Sequence, residues 1–214
     1  MKIIDLSHFI ANGMPVYPGT EAPKLKTSNT YEIDGFKETF LSMSTHTGTH
    51  IDPPAHLFGD KMTLDEFNVS QFIGKAIVID CRDLKDGEQI TLNHVKKYGD
   101  KISQADFLLF NSGWDKRWGS DTYFGKFPCI SDEVIELIVK GNYKGIGFDV
   151  ISIDPIGDAS LTIHKKLFSQ KELINVENLK NLDLCGSDLF TFICLPLKIE
   201  KADGSPTRAV AILD

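Results

Sequence analysis

The sequence lacks the features that mark several large classes of protein. No apolar run approaches the ~20 residues of a membrane-spanning helix, and the 214 residues contain no repeat and no low-complexity stretch. Lys and Arg number 23 against 30 for Asp and Glu, which gives a net charge of −7. Because phosphate neutralisation needs clustered basic residues, we expect neither nucleic acid nor a membrane as a partner.

Cysteine is also scarce, and its spacing does not suggest a disulfide framework or a zinc ribbon. The four cysteines contain no CxxC pair, which favours a reduced set. The first 20 residues are apolar only in short pieces, since Asp5 and His8 interrupt them, so they do not resemble a signal peptide. These observations predict a cytoplasmic protein.

Short apolar segments bounded by turn residues dominate the chain. They are mostly rich in Ile, Val and Phe, as strands are. With 42% hydrophobic and 25% charged residues, the chain has the composition of an ordinary globular domain, and we expect a single domain over residues 1–214. The predicted strand segments are residues 2–9, 38–47, 75–81, 106–113, 144–152, 172–179, 188–199 and 209–214.

Four helical segments are predicted between some of the strands. A capping box formed by Thr63 and Glu66 indicates a helix start, and Ser131 followed by two acidic residues indicates another. The alternation of strands and helices predicts an α/β fold: a single layered domain with mixed β-sheets, more than one in number, and a few flanking helices. The predicted helices cover residues 63–70, 91–98, 131–140 and 160–170.

Three of the six histidines fall within eleven residues, with an aspartate among them. His46, His50 and Asp52 occupy even positions, so an extended chain directs all three to one side. Gly48 and the following proline pair make a helix unfavourable here. Imidazoles and a carboxylate converging on one point suit a divalent metal, Zn²⁺ or Mn²⁺, and three protein ligands leave coordination open for water. The alternative is a set of solvated loop histidines.

The stretch from His46 to His56, HTGTHIDPPAH, resembles the HxGTHxDxPxH motif of the metal-dependent cyclase-like hydrolases. That family includes bacterial kynurenine formamidases, which are arylformamidases, and isatin hydrolases. The resemblance extends over nearly the whole chain and implies a swivelling β/β/α type of fold. The other segments that carry it are residues 5–8, 15–19, 111–114, 147–154, His164, 177–179 and 181–182.

The resemblance also implies roles for individual residues. His46, His50 and Asp52 resemble the ligands of a first metal, with Asp52 as a bridging carboxylate, and His164 and Glu177 resemble the ligands of a second. His56 resembles the proton donor and acceptor. Tyr17 stands where kynurenine formamidases carry a substrate-contacting Trp, and the spacing from His164 to Glu177 is one residue longer than the family pattern. One or two Zn²⁺ per chain, with Mn²⁺ as an alternative, and a homodimer or larger assembly are the further implications.

These observations predict an enzyme that hydrolyses a small-molecule amide with metal-activated water, His56 transferring the proton. The resemblance implies N-formyl-kynurenine as substrate, cleaved to formate and kynurenine. Opening of a cyclic amide or lactone, as in isatin hydrolase, is an alternative within the same class. A metal-stabilised binding domain without catalysis is an alternative from another class, although such sites are usually closed by a fourth ligand.

Overall fold

Thirteen strands form the framework of the computed structural model, which describes residues 1–213. Each of the eight predicted strand segments contains or overlaps one of them, and five further strands complete the set. In chain order they are β1 Lys2–Asp5, β2 Lys24–Asn29, β3 Glu38–Ser42, β4 His50–Asp52, β5 Ile73–Asp80, β6 Gln89–Ile90, β7 Phe107–Asn111, β8 Cys129–Ile130, β9 Gly145–Phe148, β10 Ile174–Glu177, β11 Phe190–Ile193, β12 Ser205–Pro206 and β13 Val210–Leu213.

Nine strands pair into one mixed sheet in the order β1-β13-β11-β5-β7-β9-β10-β4-β12. The four central strands, β5, β7, β9 and β10, run parallel, and antiparallel strands flank them on both sides. Two further sheets have two strands each, β2 with β3 and β6 with β8. The predicted α/β domain with mixed sheets and more than one sheet is therefore confirmed.

Both faces of the central sheet are buried. On β5, Ile77 and Ile79 belong to one apolar cluster, while Ala76 and Val78 belong to another. The first cluster includes residues of α4 and α5 and lies on the face that these helices cover. The second cluster lies on the opposite face and includes residues of the outer strands, such as Phe192 on β11. This alternation explains the continuous apolar runs in the sequence, because strands covered on both faces need apolar residues at every position.

Five short helices flank the sheet, and their bounds are α1 Tyr31–Asp34, α2 Leu92–Lys96, α3 Lys101–Gln104, α4 Asp132–Lys140 and α5 Thr162–Phe168. Three of the predicted helices are confirmed as α2, α4 and α5. The α2 helix begins with a capping box made by Thr91 and His94. Only α4 and α5 exceed five residues, which accords with the expectation of few helices.

The predicted helix over residues 63–70 is wrong. The Thr63 backbone N–H does donate to the Glu66 carboxylate, at 2.9 Å, but the chain continues as a turn. A short 3₁₀ helix at Val69–Phe72 follows and leads directly into β5. The reciprocal bond of a capping box therefore closes a turn here, because no apolar helical stripe follows to be packed.

The β2–β3 hairpin and α1 form an exposed arm, defined here as residues 24–42. No residue of the arm is buried, although it carries large apolar side chains at Tyr31, Ile33, Phe36 and Phe40. Elsewhere the four cysteines are free, and three of them are buried. Among residues 1–213 there is no helix with the length and apolar character needed to cross a membrane.

Candidate metal centre and its cavity

The pairing of β4 with β10 creates the polar centre of the molecule. Glu177 lies directly opposite His50, and Asn175 lies opposite Asp52. The intervening Ile51 and Val176 are fully buried in the apolar cluster on the other face. Alternation along the two strands therefore directs the four polar side chains to one face, which is the face that carries α5.

A first group of three ligands comes from the loop before β4 and from β4 itself. His46, His50 and Asp52 present atoms within 4.8 Å of one another. Asp52 Oδ1 lies 2.7 Å from His46 Nδ1 and 3.1 Å from His50 Nε2. The other ring nitrogen of His50, Nδ1, lies 2.8 Å from the Gly48 carbonyl oxygen and donates to it, which leaves Nε2 with a free lone pair for a metal.

A second group adds one residue from α5 and one from β10. Asp52, His164 and Glu177 are all buried and also lie within 4.8 Å of one another. Asp154 accepts the N–H of His164 Nδ1 at 2.6 Å. His164 Nε2 is then buried without a hydrogen bond, 3.4 Å from Glu177 Oε1. The backbone N–H of Ile153 fixes Glu177 by donating to Oε1 at 3.0 Å.

Asp52 belongs to both groups, and an amide helps to hold it in place. The Asn175 side-chain amide donates to Asp52 Oδ2 and to Glu177 Oε1, each at 3.0 Å. Burial disfavours the charge on Asp52, but the surrounding histidines outweigh it and hold its pKa well below the usual range. Burial likewise opposes protonation of His50 and His164, yet the carboxylates raise the pKa of both. A charged carboxylate shared by the two groups of ligands is suited to bridge two cations.

His56 lies beside the first group, on the 3₁₀ turn Pro54–His56 that follows β4. Its ring centroid is 4.0 Å from that of His46 and 6.0 Å from that of His164. Burial lowers the pKa of His56 to about 4. His56 is therefore neutral at neutral pH, and its position next to the carboxylate centre places it where a proton can be exchanged. His46, His56 and Asp203 form a third group of potential ligands within 4.8 Å, at the outer side of the centre.

A cavity of about 460 Å³ opens onto these groups. Tyr17 forms part of its wall, and its hydroxyl donates to the Ile156 carbonyl oxygen at 3.4 Å. Apolar side chains from Val16, Ile151 and Leu161 line other parts. All seven residues predicted to bind metal or substrate or to transfer a proton face this one cavity: Tyr17, His46, His50, Asp52, His56, His164 and Glu177.

The longer spacing between His164 and Glu177 does not separate them. α5 ends at Phe168 and β10 begins at Ile174, and the segment between them accommodates the difference.

Four polar residues that support the centre were not predicted from the sequence. Asn175 is two positions before Glu177 on the same strand face, so strand periodicity would have indicated it. Asp154 and Asn178 lie in segments 147–154 and 177–179 that carry the family resemblance, but no role was assigned to them, whereas Asp203 has no local signal because it approaches the site only through the fold. Asn178 donates from its side chain to the Gly48 carbonyl oxygen at 2.8 Å.

Comparison with known proteins defines the class to which this fold and centre belong. Residues 4–155 match the Cyclase family model, described as "Putative cyclase". The match covers well over half of the chain, and the protein belongs to this family, as the sequence motif predicts.

Individual relatives extend the similarity over the whole chain. The protein is 36% identical over 214 residues to "Uncharacterized protein MJ0783" of Methanocaldococcus jannaschii, covering 100% of both chains. It is 31% identical to a kynurenine formamidase of Bacillus cereus, covering 97% of this chain and 95% of that one. The solved structure of isatin hydrolase A from Labrenzia aggregata, bound to benzyl benzoate, superimposes with a TM-score of 0.89 at 26% identity, covering 98% and 93% of the two chains. Hydrolases are therefore among its relatives in both sequence and structure.

Proposed function

We propose that the protein is a metal-dependent hydrolase of a carbon–nitrogen amide bond, with N-formyl-kynurenine as its substrate and formate and kynurenine as products. One observation carries this proposal: Asp52 is shared by two groups of metal-type ligands in the wall of a cavity large enough for an aryl amide. The similarity to a kynurenine formamidase over 97% of the chain supports the choice of substrate.

The donor set fits a divalent cation. His164 Nε2 is buried without a hydrogen bond. Asp154 fixes the tautomer of the ring so that the Nε2 lone pair faces the carboxylates of Glu177 and Asp52. His46, His50 and Asp52 would hold one ion, and Asp52, His164 and Glu177 a second. Mixed imidazole and carboxylate ligands suit Zn²⁺ or Mn²⁺. A bound ion lowers the pKa of water toward ~7 and polarises a carbonyl oxygen.

The residues around the ion perform the remaining tasks. His56 is placed to take the proton of the attacking water and to return it to the leaving amine as the carbon–nitrogen bond breaks. Tyr17, held by the Ile156 carbonyl, offers an aromatic wall for the aryl group. An aryl amine is a better leaving group than an alkyl amine, which suits a site with a single proton carrier.

A neutral cyclic amide or lactone is the second candidate substrate, and one observation favours it. Among residues 1–213, no Lys or Arg lines the cavity, so the chain itself offers no cationic side chain for the carboxylate of formyl-kynurenine. The structural similarity to isatin hydrolase A points in the same direction. Both candidates require the same water attack on a carbonyl carbon.

Elemental analysis followed by turnover assays tests the function. We expect one or two equivalents of Zn or Mn per chain, and turnover of formyl-kynurenine above that of isatin. His50→Ala should lose metal and activity together. His56→Gln should keep its metal while kcat falls roughly 10²–10⁴-fold, the usual contribution of a general acid–base group.

Each contrary result has a distinct meaning. Turnover of isatin but not of formyl-kynurenine would establish the second candidate. Tight metal retention without hydrolysis of either substrate would indicate a binding domain. Full metal content and full activity in His50→Ala would refute the ligand assignment, and absence of metal even after reconstitution would refute the metal-dependent mechanism.

We also propose that the protein works in the cytoplasm, where its four cysteines remain reduced.

We further propose that the protein forms a homodimer through the exposed arm, residues 24–42. Isolated two-stranded hairpins are marginal in water, so a second surface is expected to cover the arm. The aromatic side chains of Tyr31, Phe36 and Phe40 are 53–68% exposed, so each offers roughly 100–150 Å² of the about 150–250 Å² of a whole aromatic side chain. Together with Ile33 and Leu41, and counted on both protomers of a two-fold dimer, they offer roughly 1,000 Å², the low end of specific interfaces.

Light scattering during size-exclusion chromatography tests the assembly. We expect twice the chain mass of 23.9 kDa. The double variant Ile33→Ser with Phe40→Ser should give the single-chain mass, whereas Val69→Ser, which alters an apolar side chain exposed elsewhere, should not. A wild-type protein at about 24 kDa would contradict the dimer.

A further inference from the structure

The two ring nitrogens of each ligand histidine have different surroundings. His50 and His164 both use Nδ1 as an outward donor, to the Gly48 carbonyl at 2.8 Å and to the Asp154 carboxylate at 2.6 Å. Each thereby keeps Nε2 directed into the centre. An acceptor behind a ligand histidine fixes the tautomer and the ring orientation and increases the basicity of the inward nitrogen.

His46 has the opposite orientation. Its Nδ1 faces the centre, 2.7 Å from Asp52 Oδ1. Its Nε2 is buried and makes no hydrogen bond, and the nearby carboxylate oxygen is Asp203 Oδ2, at 3.4 Å. Of the three ligand histidines, His46 is therefore the one whose outward nitrogen still needs an acceptor, and a carboxylate lies next to it.

Asp203 reaches this position because the chain beside it lies against the imidazole edge. A Cβ atom on Gly204 would lie 2.5 Å from His46 Cε1 and 2.6 Å from Nε2, so only glycine allows this approach. The hydroxyl of Thr45, the neighbour of His46, donates to Asp203 Oδ1 at 3.1 Å. With Oδ1 occupied in this way, Oδ2 is the oxygen available to the ring.

We propose that Asp203 is a positioning residue: its Oδ2 accepts the Nε2–H of His46 and so holds His46 Nδ1 toward the ion that Asp52 and His50 share. This inference rests on the proposed function only in assuming that the first group binds a metal. Oδ2 is 3.4 Å from Nε2, so a small rotation of the exposed Asp203 side chain would complete the hydrogen bond, and the glycine at position 204 leaves the ring edge open to it.

Zn²⁺ affinity of the full-length protein, measured by chelator competition after metal removal, tests the proposal. Asp203→Ala should bind the ion in the first group about 10–100-fold more weakly, the usual effect of losing such an acceptor. Asp203→Asn keeps a carbonyl oxygen that can accept the N–H, so its affinity should stay within about threefold of wild type. Asp86→Ala alters a comparably exposed carboxylate outside the cavity and serves as the matched control.

The visible spectrum of the Co²⁺-loaded protein provides a second readout. Asp203→Ala should change the absorption of the bound ion, whereas Asp86→Ala should not, and the number of ions per chain should be the same in all variants. Wild-type affinity and spectrum in Asp203→Ala would overturn the proposal. A reduced ion count in both Asp203 variants would overturn it in favour of Asp203 as a direct ligand. A wild-type protein that binds neither Zn²⁺ nor Co²⁺ would instead refute the proposed function.

Discussion

At the scale of single residues, Asp149 is a buried acid that lies outside the cavity lining. It follows β9, and its carboxylate accepts hydrogen bonds from the backbone N–H and hydroxyl of Ser112 and from the backbone N–H of Trp114. Burial raises the pKa of Asp149 to about 6 from its ordinary 3.8, even though these three donors favour the charged form. The folded protein therefore holds this proton to a higher pH than the unfolded chain does.

The raised pKa gives a stability prediction with a definite sign. Between about pH 4 and pH 6, unfolding releases the proton of Asp149, so its contribution to the free energy of unfolding falls as the pH rises and is constant above that range. Asp149→Asn lacks this titration. We expect the wild-type free energy of unfolding, minus that of the variant, to fall by roughly 2–3 kcal/mol across this range, at about 1.4 kcal/mol per pKa unit.

Urea denaturation of both proteins at several pH values measures this difference. A difference that stays flat, or one that grows with pH, would show that folding does not raise the pKa of Asp149.

At the scale of elements, the central strand β9 depends on its glycines. A Cβ atom on Gly145 would lie 2.7 Å from Ile174 Cγ1 and 2.8 Å from the Ile174 backbone oxygen. Because a backbone atom in a parallel sheet cannot move aside cheaply, Gly145→Ala should cost about 1–3 kcal/mol through overpacking. Gly157→Ala, which meets nothing within 4 Å, should change stability by less than about 0.5 kcal/mol. Equal urea midpoints for Gly145→Ala and Gly157→Ala would contradict the conclusion that close packing requires glycine at position 145.

The same scale shows what the sequence can predict. Strand segments such as 75–81 and 106–113 were predictable because burial on both faces leaves long apolar runs, and α4 was predictable from its apolar face. The turn at residues 63–70 was not, because a capping bond does not reveal whether a helix will find a surface to cover. The pairing of β4 with β10 was also beyond local reasoning, since strand register depends on partners distant in sequence.

The residues of the candidate centre also differ in whether the sequence alone could indicate them. His46, His50 and Asp52 reveal themselves by proximity in the chain. His164 and Glu177 could be assigned only through the family resemblance, because the spacing between them has no geometric meaning outside the fold. Asp203 gives no signal in the sequence, since what matters is the approach of Gly204 to an imidazole.

At the scale of the whole molecule, metal removal should weaken the protein without unfolding it. The two apolar clusters on the sheet do not involve the ligands, so the fold should persist. A tightly held ion at 1,000 times its Kd contributes about 4 kcal/mol, and a domain of this size shifts by roughly 2–4 °C per kcal/mol. We expect Tm to fall by roughly 8–16 °C after chelation.

Scanning calorimetry of the protein before and after chelation tests this expectation. Zn²⁺ should restore the original Tm, and Mg²⁺ should not, because Mg²⁺ prefers oxygen ligands. An unchanged Tm, or an unfolded chain at 25 °C, would contradict it.

The two ligand groups also differ in when they come into existence. His46, His50 and Asp52 lie within seven consecutive residues, so a chain still emerging from the ribosome already carries all three. The second group joins Asp52 to Glu177, 125 residues further along, and exists only after β4 has paired with β10. In a newly made chain the first group would therefore be available to an ion earlier than the second, which requires synthesis as far as Glu177 and the pairing of β4 with β10.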